Sequence, residues 1–341
     1  MGVSFEHHQS AHCETGVTAN LLSHYGIALT EAMAFGIGSG IFFGYLPFVR
    51  LNHLPLTAFR IRTGGIMGRV TKRLGVKLKK ERFRRPDRAM AALDRKLSEG
   101  VPVGCRTGAY WLSYFPRRYR FHFNMHNIVV FDKVDGEYLI SDPVFPDPVR
   151  CPAESLQRAR FAKGPMPPKG HMYTVAAVPE APDLAGAAVT GLREAARTML
   201  RAPGPFLGVR GIRHLARVVP RWPAKLGEDR ATLYLGQMIR MQEEIGTGGG
   251  GFRFLFAAFL QEAGDLMASD ALHALSARMT GAGDRWRDFA VAGSRICKGR
   301  ASDGETYPAL GDILRDCADQ ETAIYRDLDI ALRNGLATAK G

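Results

Sequence analysis

The pattern of apolar and polar positions changes near residue 180. Before this point, helical patterns at 15–25 and 86–97 stand among segments with the two-residue alternation or short apolar runs that are typical of strands. The predicted strands cover 101–106, 122–132, 137–141 and 171–178. A helical start followed by a run of strands is typical of an α+β domain. We therefore predict an α+β domain over residues 1–180.

The remaining chain has helical periodicity almost throughout. It begins after a stretch rich in Pro and Ala at 179–187 that is typical of a linker. The predicted helices cover 190–201, 207–219, 228–245, 252–279, 284–297 and 308–334. Glycines at 246–251 and 281–283 are expected to break the helices. The sequence thus predicts an all-helical C-terminal domain over residues 181–341.

Composition and charge limit the classes of binding partner and the cellular compartment that we expect for the protein. The 341 residues carry a net charge of +13, which implies an acidic partner or surface: an acidic carrier protein first, an anionic membrane second. We expect no nucleic acid, since no recognised motif for it is present. The five cysteines are scattered and form no CxxC pair, and the start of the chain has no signal-peptide pattern. We therefore expect a protein of the reducing cytoplasm.

Cys13 is the candidate nucleophile. It lies at the start of a predicted helix, where the helix dipole and free backbone N–H groups favour thiolate and can hold an oxyanion. The alternative is a small buried hydrophobic residue, which is the usual role of a free cysteine. His7, His8 and His12 lie nearby, but their spacing is not that of a zinc site, so we predict no metal.

His126 and Asp142 are the candidate base and orienting residue. They lie on or just after neighbouring strands, and a four-residue loop between Asp132 and Glu137 would put His126 opposite position 143. An aspartate that accepts from one imidazole nitrogen leaves the other free to take the thiol proton. Either residue alone has a structural explanation, a core histidine or an Asp-Pro turn. Together with Cys13 they predict a catalytic triad.

The segment HCETGVTANLLSHYGIALTEAMAFGIGSGIFFGY, residues 12–45, resembles the N-terminal domain of the butirosin biosynthesis protein H family. His126-Asn127 and Asp142-Pro143 also fit this family. The segment EEIGTGGGGFRFLFAAFLQEA, residues 243–263, resembles the helical domain of unknown function that is often fused to it. The resemblance implies a papain-like cysteine-protease-type fold for the first domain.

The resemblance further implies an acyltransferase. The family's named member moves an acyl group from an acyl carrier protein to an amine of an aminoglycoside. By analogy, Cys13 would attack the thioester on the carrier's phosphopantetheine, and an amine-bearing small molecule would accept the acyl group. No bound cofactor is expected. Papain-like enzymes usually supply a Gln shortly before the nucleophile as an oxyanion donor, so Gln9 and His7 are candidates beside the Cys13 N–H.

Arginines supply candidate contacts for the carrier protein. Arg193, Arg197 and Arg201 share one face of a predicted helix. Arg253 follows the glycine run, whose GxGxxG pattern comes after a helix rather than a strand, so an interhelix turn is the preferred interpretation over a phosphate site. Two rival functions remain: a cysteine peptidase or amidase that uses the same triad with water, and a binding module without catalysis.

Overall fold

The computed structural model describes residues 4–51 and 53–335, which divide by their contacts into two compact units. The first unit contains the described residues through Ala34 together with Ile66–Asp183. The second contains Phe35–Gly65 and the described residues from Leu184 onward. Residues 35–65 therefore cluster with the C-terminal helices, whereas the sequence prediction put them in the first domain. The reason is that their strands bury aromatic side chains among those helices, as shown below.

The first unit is built on a six-stranded antiparallel sheet. Its strands are β3 (Lys77–Glu81), β4 (Val103–Thr107), β5 (His126–Val134), β6 (Glu137–Ser141), β7 (Val149–Pro152) and β8 (Met172–Ala177). Their order in the sheet is β3-β8-β4-β5-β6-β7. Lysines alternate with a half-buried leucine in β3, which suits its place at an edge of the sheet.

Among the described residues, five α-helices belong wholly or in part to this unit. They are α1 (Cys13–His24), α2 (Glu31–Ile37), α3 (Gly65–Arg73), α4 (Pro86–Ser98) and α5 (Ala153–Arg160). Helix α1 packs against β5, and apolar residues of α4 and α5 share a core with those of β4 and β5. Strand β5 is buried over six successive residues because elements cover both of its faces.

The turn between β5 and β6 sets the register on which the candidate site depends. Asp135 and Gly136 both have positive φ, as a two-residue hairpin turn requires, and Val134 pairs with Glu137. The loop is thus two residues long, shorter than the four-residue loop of the sequence analysis. An irregularity between Val130 and Asp132 shifts the pairing, and Val129 then faces Ser141. Continued, this register would put His126 two residues from Asp142.

Among its described residues the second unit contains one β-hairpin, seven α-helices and two short 3₁₀ helices. The hairpin is β1 (Ile41–Leu51) with β2 (Leu54–Arg60). The helices are α6 (Leu184–Arg201), α7 (Gly208–Val218), α8 (Trp222–Leu226), α9 (Glu228–Glu243), α10 (Arg253–Met267), α11 (Asp270–Cys297) and α12 (Tyr307–Arg333). All regular elements described after Leu184 are helices, so the helical prediction for that segment is confirmed together with the α+β class.

The hairpin belongs to this unit because its aromatic side chains fill the helical core. Phe43 and Phe59 pack on each other and on Trp286 of α11, with ring centroids 5.4–5.7 Å apart. Phe59 also lies so close to Gly251 that a Cβ there would come within 2.3 Å of its ring. Gly251 has a φ of 58° as well, so the position requires glycine on both grounds.

The glycines at 281–283 do not break a helix, contrary to the sequence prediction. Helix α11 runs through them, and the break comes instead at Ala268, which has left-handed backbone angles. A Cβ on Gly283 would lie 2.8 Å from the Phe254 ring, so this glycine allows close packing rather than a turn. In the part of the chain that the structure describes, no helix is both long and apolar enough to cross a membrane.

Candidate active site

Cys13 is the first residue of helix α1 and its side chain is buried. His12 caps the helix, and its ring accepts a hydrogen bond from the Thr15 N–H at 3.4 Å. Because the first N–H groups of a helix have no partner within it, the Cys13 N–H is placed to stabilise an oxyanion that forms beside the sulfur. The predicted position of Cys13 at a helix start is thus the position that the structure gives it.

Two carboxylates, the buried Glu14 and the half-buried Glu31, fix the start of α1. Glu31 of α2 accepts from the N–H groups of Ala11 and His12, at 2.9 and 2.8 Å, and from the Thr15 hydroxyl. Burial raises the pKa of Glu31, although these three hydrogen bonds oppose the rise. Glu14, next to Cys13, accepts from the first N–H groups of α3 at 3.0 and 3.2 Å. The sequence analysis gave neither glutamate a role.

The segment before Cys13 is fastened to the chain around Asp142. The ring of His7 lies 2.7 Å from the Ser141 hydroxyl through Nδ1 and 3.0 Å from the Phe145 carbonyl through Nε2. The Ser10 N–H donates to the Pro143 carbonyl at 2.6 Å. Both nitrogens of His7 are therefore used in holding this segment, which leaves neither for an oxyanion. The side chain of Gln9 is exposed, and its predicted role stays a prediction.

His126, at the start of β5, interacts with both other members of the predicted triad. Its Nε2 lies 2.7 Å from Oδ2 of Asp142, which is fully buried just after β6. The imidazole also forms a hydrogen bond with the Cys13 side chain. The structure thus brings Cys13, His126 and Asp142 together in the order that the sequence analysis predicted.

The charge state of His126 follows from these neighbours. Burial alone lowers the pKa of its imidazole, but the charge and hydrogen bond of Asp142, with those of Cys13, raise it to about 10. The imidazolium is therefore the main form at neutral pH. The imidazolium therefore places a positive charge and a proton beside the Cys13 sulfur.

Tyr114 is a fourth member of this network, and the sequence analysis missed it. Its hydroxyl donates to the same Asp142 oxygen at 2.8 Å, and Oδ1 of Asp142 accepts from the Val144 N–H at 3.3 Å. Burial and the nearby charge of Asp142 raise the pKa of the Tyr114 phenol well above its ordinary value, so it remains a donor. The only sequence signal was the density of aromatic residues in 110–123.

Aromatic packing holds the imidazole in place. The ring of Phe115 meets that of His126 edge to face at 5.5 Å, and Phe145 packs on Phe115 at 4.9 Å. Arg120 supports this segment because it donates to the carbonyls of Ser113 and Phe115. The segment between β4 and β5 therefore positions both Tyr114 and Phe115 against the His126–Asp142 pair.

We expect Tyr114→Phe to slow alkylation of Cys13 by iodoacetamide. Loss of one hydrogen bond to a charged group costs about 1.5 kcal/mol or more. Since this bond positions the His126–Asp142 pair, we expect a roughly tenfold reduction in the alkylation rate. The measurement is the second-order alkylation rate at neutral pH. Tyr119→Phe is the control, since Tyr119 is exposed on the same segment. Equal rates for both variants would show that Tyr114 does not position Asp142.

The predicted carrier contacts have different surroundings. Arg193, Arg197 and Arg201 are exposed on α6, and Arg201 pairs with Asp329 at 3.3 Å. Arg253 is instead completely buried in the second unit, where its guanidinium forms two hydrogen bonds with Glu321. It is not placed to contact a carrier protein or a phosphate, and this part of the prediction is corrected.

The glycine run also satisfies its own backbone groups. The Gly249 N–H donates to the Thr247 hydroxyl at 3.0 Å, and the Gly250 N–H donates to Glu243 at 3.1 Å. Glu243 thus occupies the place that an anion would take. The run is an interhelix turn, which agrees with the preferred interpretation of the sequence. Among the described residues, no group of three or more His, Cys, Asp or Glu is arranged to hold a metal ion.

Comparison with known proteins identifies both parts of the chain. The family model described as "Butirosin biosynthesis protein H, N-terminal" matches residues 12–143, and the model described as "Domain of unknown function (DUF4872)" matches residues 154–328. A crystal structure of a "putative C39-like peptidase" from Bacillus anthracis is 15% identical, with a TM-score of 0.36, and the match covers 51% of this chain and 94% of that one. No curated protein matches. The chain belongs to the DUF4872 family, with an N-terminal part of the butirosin biosynthesis protein H type.

Proposed function

We propose that the protein is a cysteine-dependent acyltransferase. It would move an acyl group from an acyl carrier protein, through a thioester on Cys13, to an amine-bearing small molecule in secondary-metabolite biosynthesis. The observation that carries the proposal is the hydrogen-bonded series from Cys13 through His126 to Asp142. The match to an N-terminal domain named after butirosin biosynthesis supports the choice of acyl transfer.

In the first step the Cys13 thiolate attacks the carbonyl carbon of the carrier thioester. The oxyanion that forms accepts a hydrogen bond from the Cys13 N–H. Collapse of this intermediate breaks the bond to the phosphopantetheine sulfur, which takes the proton from the His126 imidazolium and leaves as a thiol. The products are the acyl-Cys13 thioester and a neutral His126 that is still bonded to Asp142.

In the second step an amine attacks the acyl-Cys13 carbonyl carbon. His126, now neutral, takes a proton from the amine nitrogen as the bond forms. The thioester bond to Cys13 then breaks, which releases an amide and restores the thiolate beside the imidazolium. Protons and charges balance over the two steps, and no bound cofactor is needed, since phosphopantetheine arrives with the donor.

Burial of the site supports an amine rather than water as the acceptor. Cys13 is 8% exposed and His126 5%, while Asp142 has no exposed surface. Water reaches a thioester at a buried site less readily than a thioester in an open cleft. An acyl-enzyme that excludes water survives until its acceptor binds. A peptidase or amidase would use the same triad with water, and the experiment below separates the two.

The carrier protein would dock through basic residues. The exposed Arg193, Arg197 and Arg201 of α6 remain the proposed contacts, because acidic carriers are recognised by complementary charge. Arg117 and Arg118 provide a second exposed basic pair, on the segment of the first unit that also carries Tyr114. An anionic membrane is the second proposed contact for these arginines. The five cysteines are all free, which suits the proposed reducing cytoplasm.

Intact-protein mass spectrometry after mixing with acyl-loaded carrier protein tests this proposal. We expect the wild type to gain the mass of one acyl group and Cys13→Ala to gain none. Added amines should release the group faster than buffer alone. The matched control is Cys297→Ala, because Cys297 is the only other cysteine that is not fully buried. It should acylate like the wild type.

Other results of these experiments would change the proposed function or the proposed nucleophile. Release by buffer as fast as by amines would show a hydrolase. An equal mass gain in Cys13→Ala would exclude Cys13 as the nucleophile. If no acyl donor adds mass while iodoacetamide still alkylates Cys13 selectively, the site is reactive but carrier thioesters are not its substrates. Slow, unselective alkylation would favour a binding module.

A further inference from the structure

The second unit has an open cavity of about 290 Å³ beside the turn that joins α6 to α7. The cavity is lined by Gly204 and Pro205 of the turn and by Arg210, Arg213 and Arg217 of α7. We call it the arginine pocket. It lies wholly within the second unit and shares no residue with the site of Cys13.

The sequence of α7 explains why three arginines meet there. Arg210, Arg213 and Arg217 are three and four residues apart, which puts them on one face of the helix. The opposite face is apolar and buried, with Ile212 and Leu215 fully inside the unit. The helix is therefore held in the core by one face while the other presents guanidinium groups to the pocket.

Other elements hold these guanidinium groups in place. Arg210 donates to the Ala202 carbonyl at the end of α6. Arg213 pairs with Asp319 of α12 at 2.6 Å and lies 3.3 Å from the Thr322 hydroxyl. Arg217 donates to the carbonyl of Arg213 at 3.3 Å. Because these contacts already restrict the three arginine side chains, a ligand that binds them would lose less free energy in ordering the side chains.

The pocket carries an excess of positive charge. Asp319 is the only carboxylate that pairs with any of the three arginines among residues 4–51 and 53–335, and it pairs with Arg213 alone. On α12, by contrast, Arg315 and Arg333 each pair with an aspartate on the same helix. Like charges one turn apart repel one another, and a concave surface concentrates their field. An anion would relieve this repulsion.

We propose that the arginine pocket binds the phosphate group of a phosphate monoester. A guanidinium group matches two phosphate oxygens in a bidentate arrangement, and charge-assisted hydrogen bonds of this kind are the strong ones. The volume is at the small end for ligand sites, which suits a phosphate with the first atoms of the molecule that bears it. The source is either a soluble phosphate ester or the headgroup of a phosphatidate-type lipid.

Binding of glycerol 3-phosphate, measured by calorimetry at physiological salt, tests the soluble source. Vesicles of phosphatidylcholine with and without phosphatidic acid test the lipid source. The variant is Arg210→Gln with Arg217→Gln, which keeps helix propensity and leaves the Arg213–Asp319 pair intact. The matched control is Arg230→Gln with Arg300→Gln, which removes the same charge from exposed positions elsewhere in the second unit.

We expect the pocket variant to weaken binding by at least about tenfold, and the control to bind like the wild type. Binding of glycerol 3-phosphate would assign a soluble ester, whereas binding of phosphatidate vesicles alone would assign the lipid headgroup. Equal weakening in both variants would mean diffuse attraction and would overturn the proposal, as would no binding by wild type to either probe. Since this site does not involve Cys13, its failure would leave the proposed acyl transfer untouched.

Discussion

His126→Ala is expected to slow acylation of Cys13 by a factor of roughly 10² to 10⁴, the range for loss of a positioned acid-base group. The variant loses the positive charge beside Cys13 and the proton that the leaving thiol needs. Both losses act on the same step, because His126 lies between the sulfur and Asp142. The measurement is the single-turnover rate of mass gain from an acyl-loaded carrier protein, with iodoacetamide alkylation as a donor-independent rate.

His122→Ala is the matched control for this experiment. His122 is an exposed histidine four residues earlier, and its ring stacks on Tyr110 at 4.1 Å rather than on the triad. It should acylate at the wild-type rate. If both histidine variants acylate equally fast, His126 has no part in the reaction. If His126→Ala loses acylation but keeps the wild-type alkylation rate, His126 serves the leaving group rather than the thiolate.

Asp142→Asn tests the same hydrogen-bond network through a different quantity, the pKa of His126. The charge of Asp142 is the largest of the causes that raise the pKa of His126, while burial lowers it. Without that charge the pKa of His126 should fall from about 10, and the imidazole should become neutral at a lower pH. An NMR titration of the His126 ring protons reports this shift directly, so a merely structural effect on the rate can be told from an electrostatic one.

The sequence predicted the triad because each member had a local signal. Cys13 stood before a clear helix, and His126 and Asp142 stood near a turn whose glycine marks a hairpin. The register was less predictable, because neither the two-residue loop nor the irregularity between Val130 and Asp132 has a clear signal in the apolar pattern. The irregularity offsets half of the two-residue change in loop length, so the register differs from the predicted one by a single residue and the pair still meets.

The supporting residues could not be predicted for a different reason. Glu14, Glu31 and Tyr114 act through contacts with residues that lie 16 to 53 positions away along the chain. Nothing in a single sequence shows which buried carboxylate will meet which N–H group. Tertiary contacts decide this, and the periodicity of one helix or strand does not contain them.

Tertiary contacts also explain the two wrong predictions in the second unit, which concern Arg253 and the glycines at 281–283. An arginine next to a glycine run suggests a surface loop, yet Arg253 is enclosed because aromatic rings pack on it. The ring centroids of Phe59 and Trp286 lie 5.7 and 5.0 Å from its guanidinium carbon. The glycines at 281–283 suggest a break, yet they allow Phe254 to approach α11. In both cases an aromatic residue distant in the sequence determines the role of the glycine or the arginine.

Loss of the buried Arg253–Glu321 pair is the second large effect that we expect. Both side chains are fully buried, and Glu321 also accepts from the indole N–H of Trp286 at 2.6 Å. Glu321→Gln leaves the guanidinium charge without a counter-charge in the core. Breaking one side of such a pair costs about 3–5 kcal/mol. The free energy of unfolding of the second unit should fall by that amount in urea titrations followed by tryptophan fluorescence.

Asp312→Asn is the matched control, because Asp312 lies on the same helix and pairs with Arg315 at the surface. Exposed pairs contribute about 0–1 kcal/mol, so this variant should unfold almost like the wild type. A double replacement, Arg253→Met with Glu321→Leu, removes both charges and should recover much of the lost stability. If Glu321→Gln is no less stable than Asp312→Asn, the pair does not hold the core together. If the double replacement is as unstable as Glu321→Gln, shape rather than charge explains the loss.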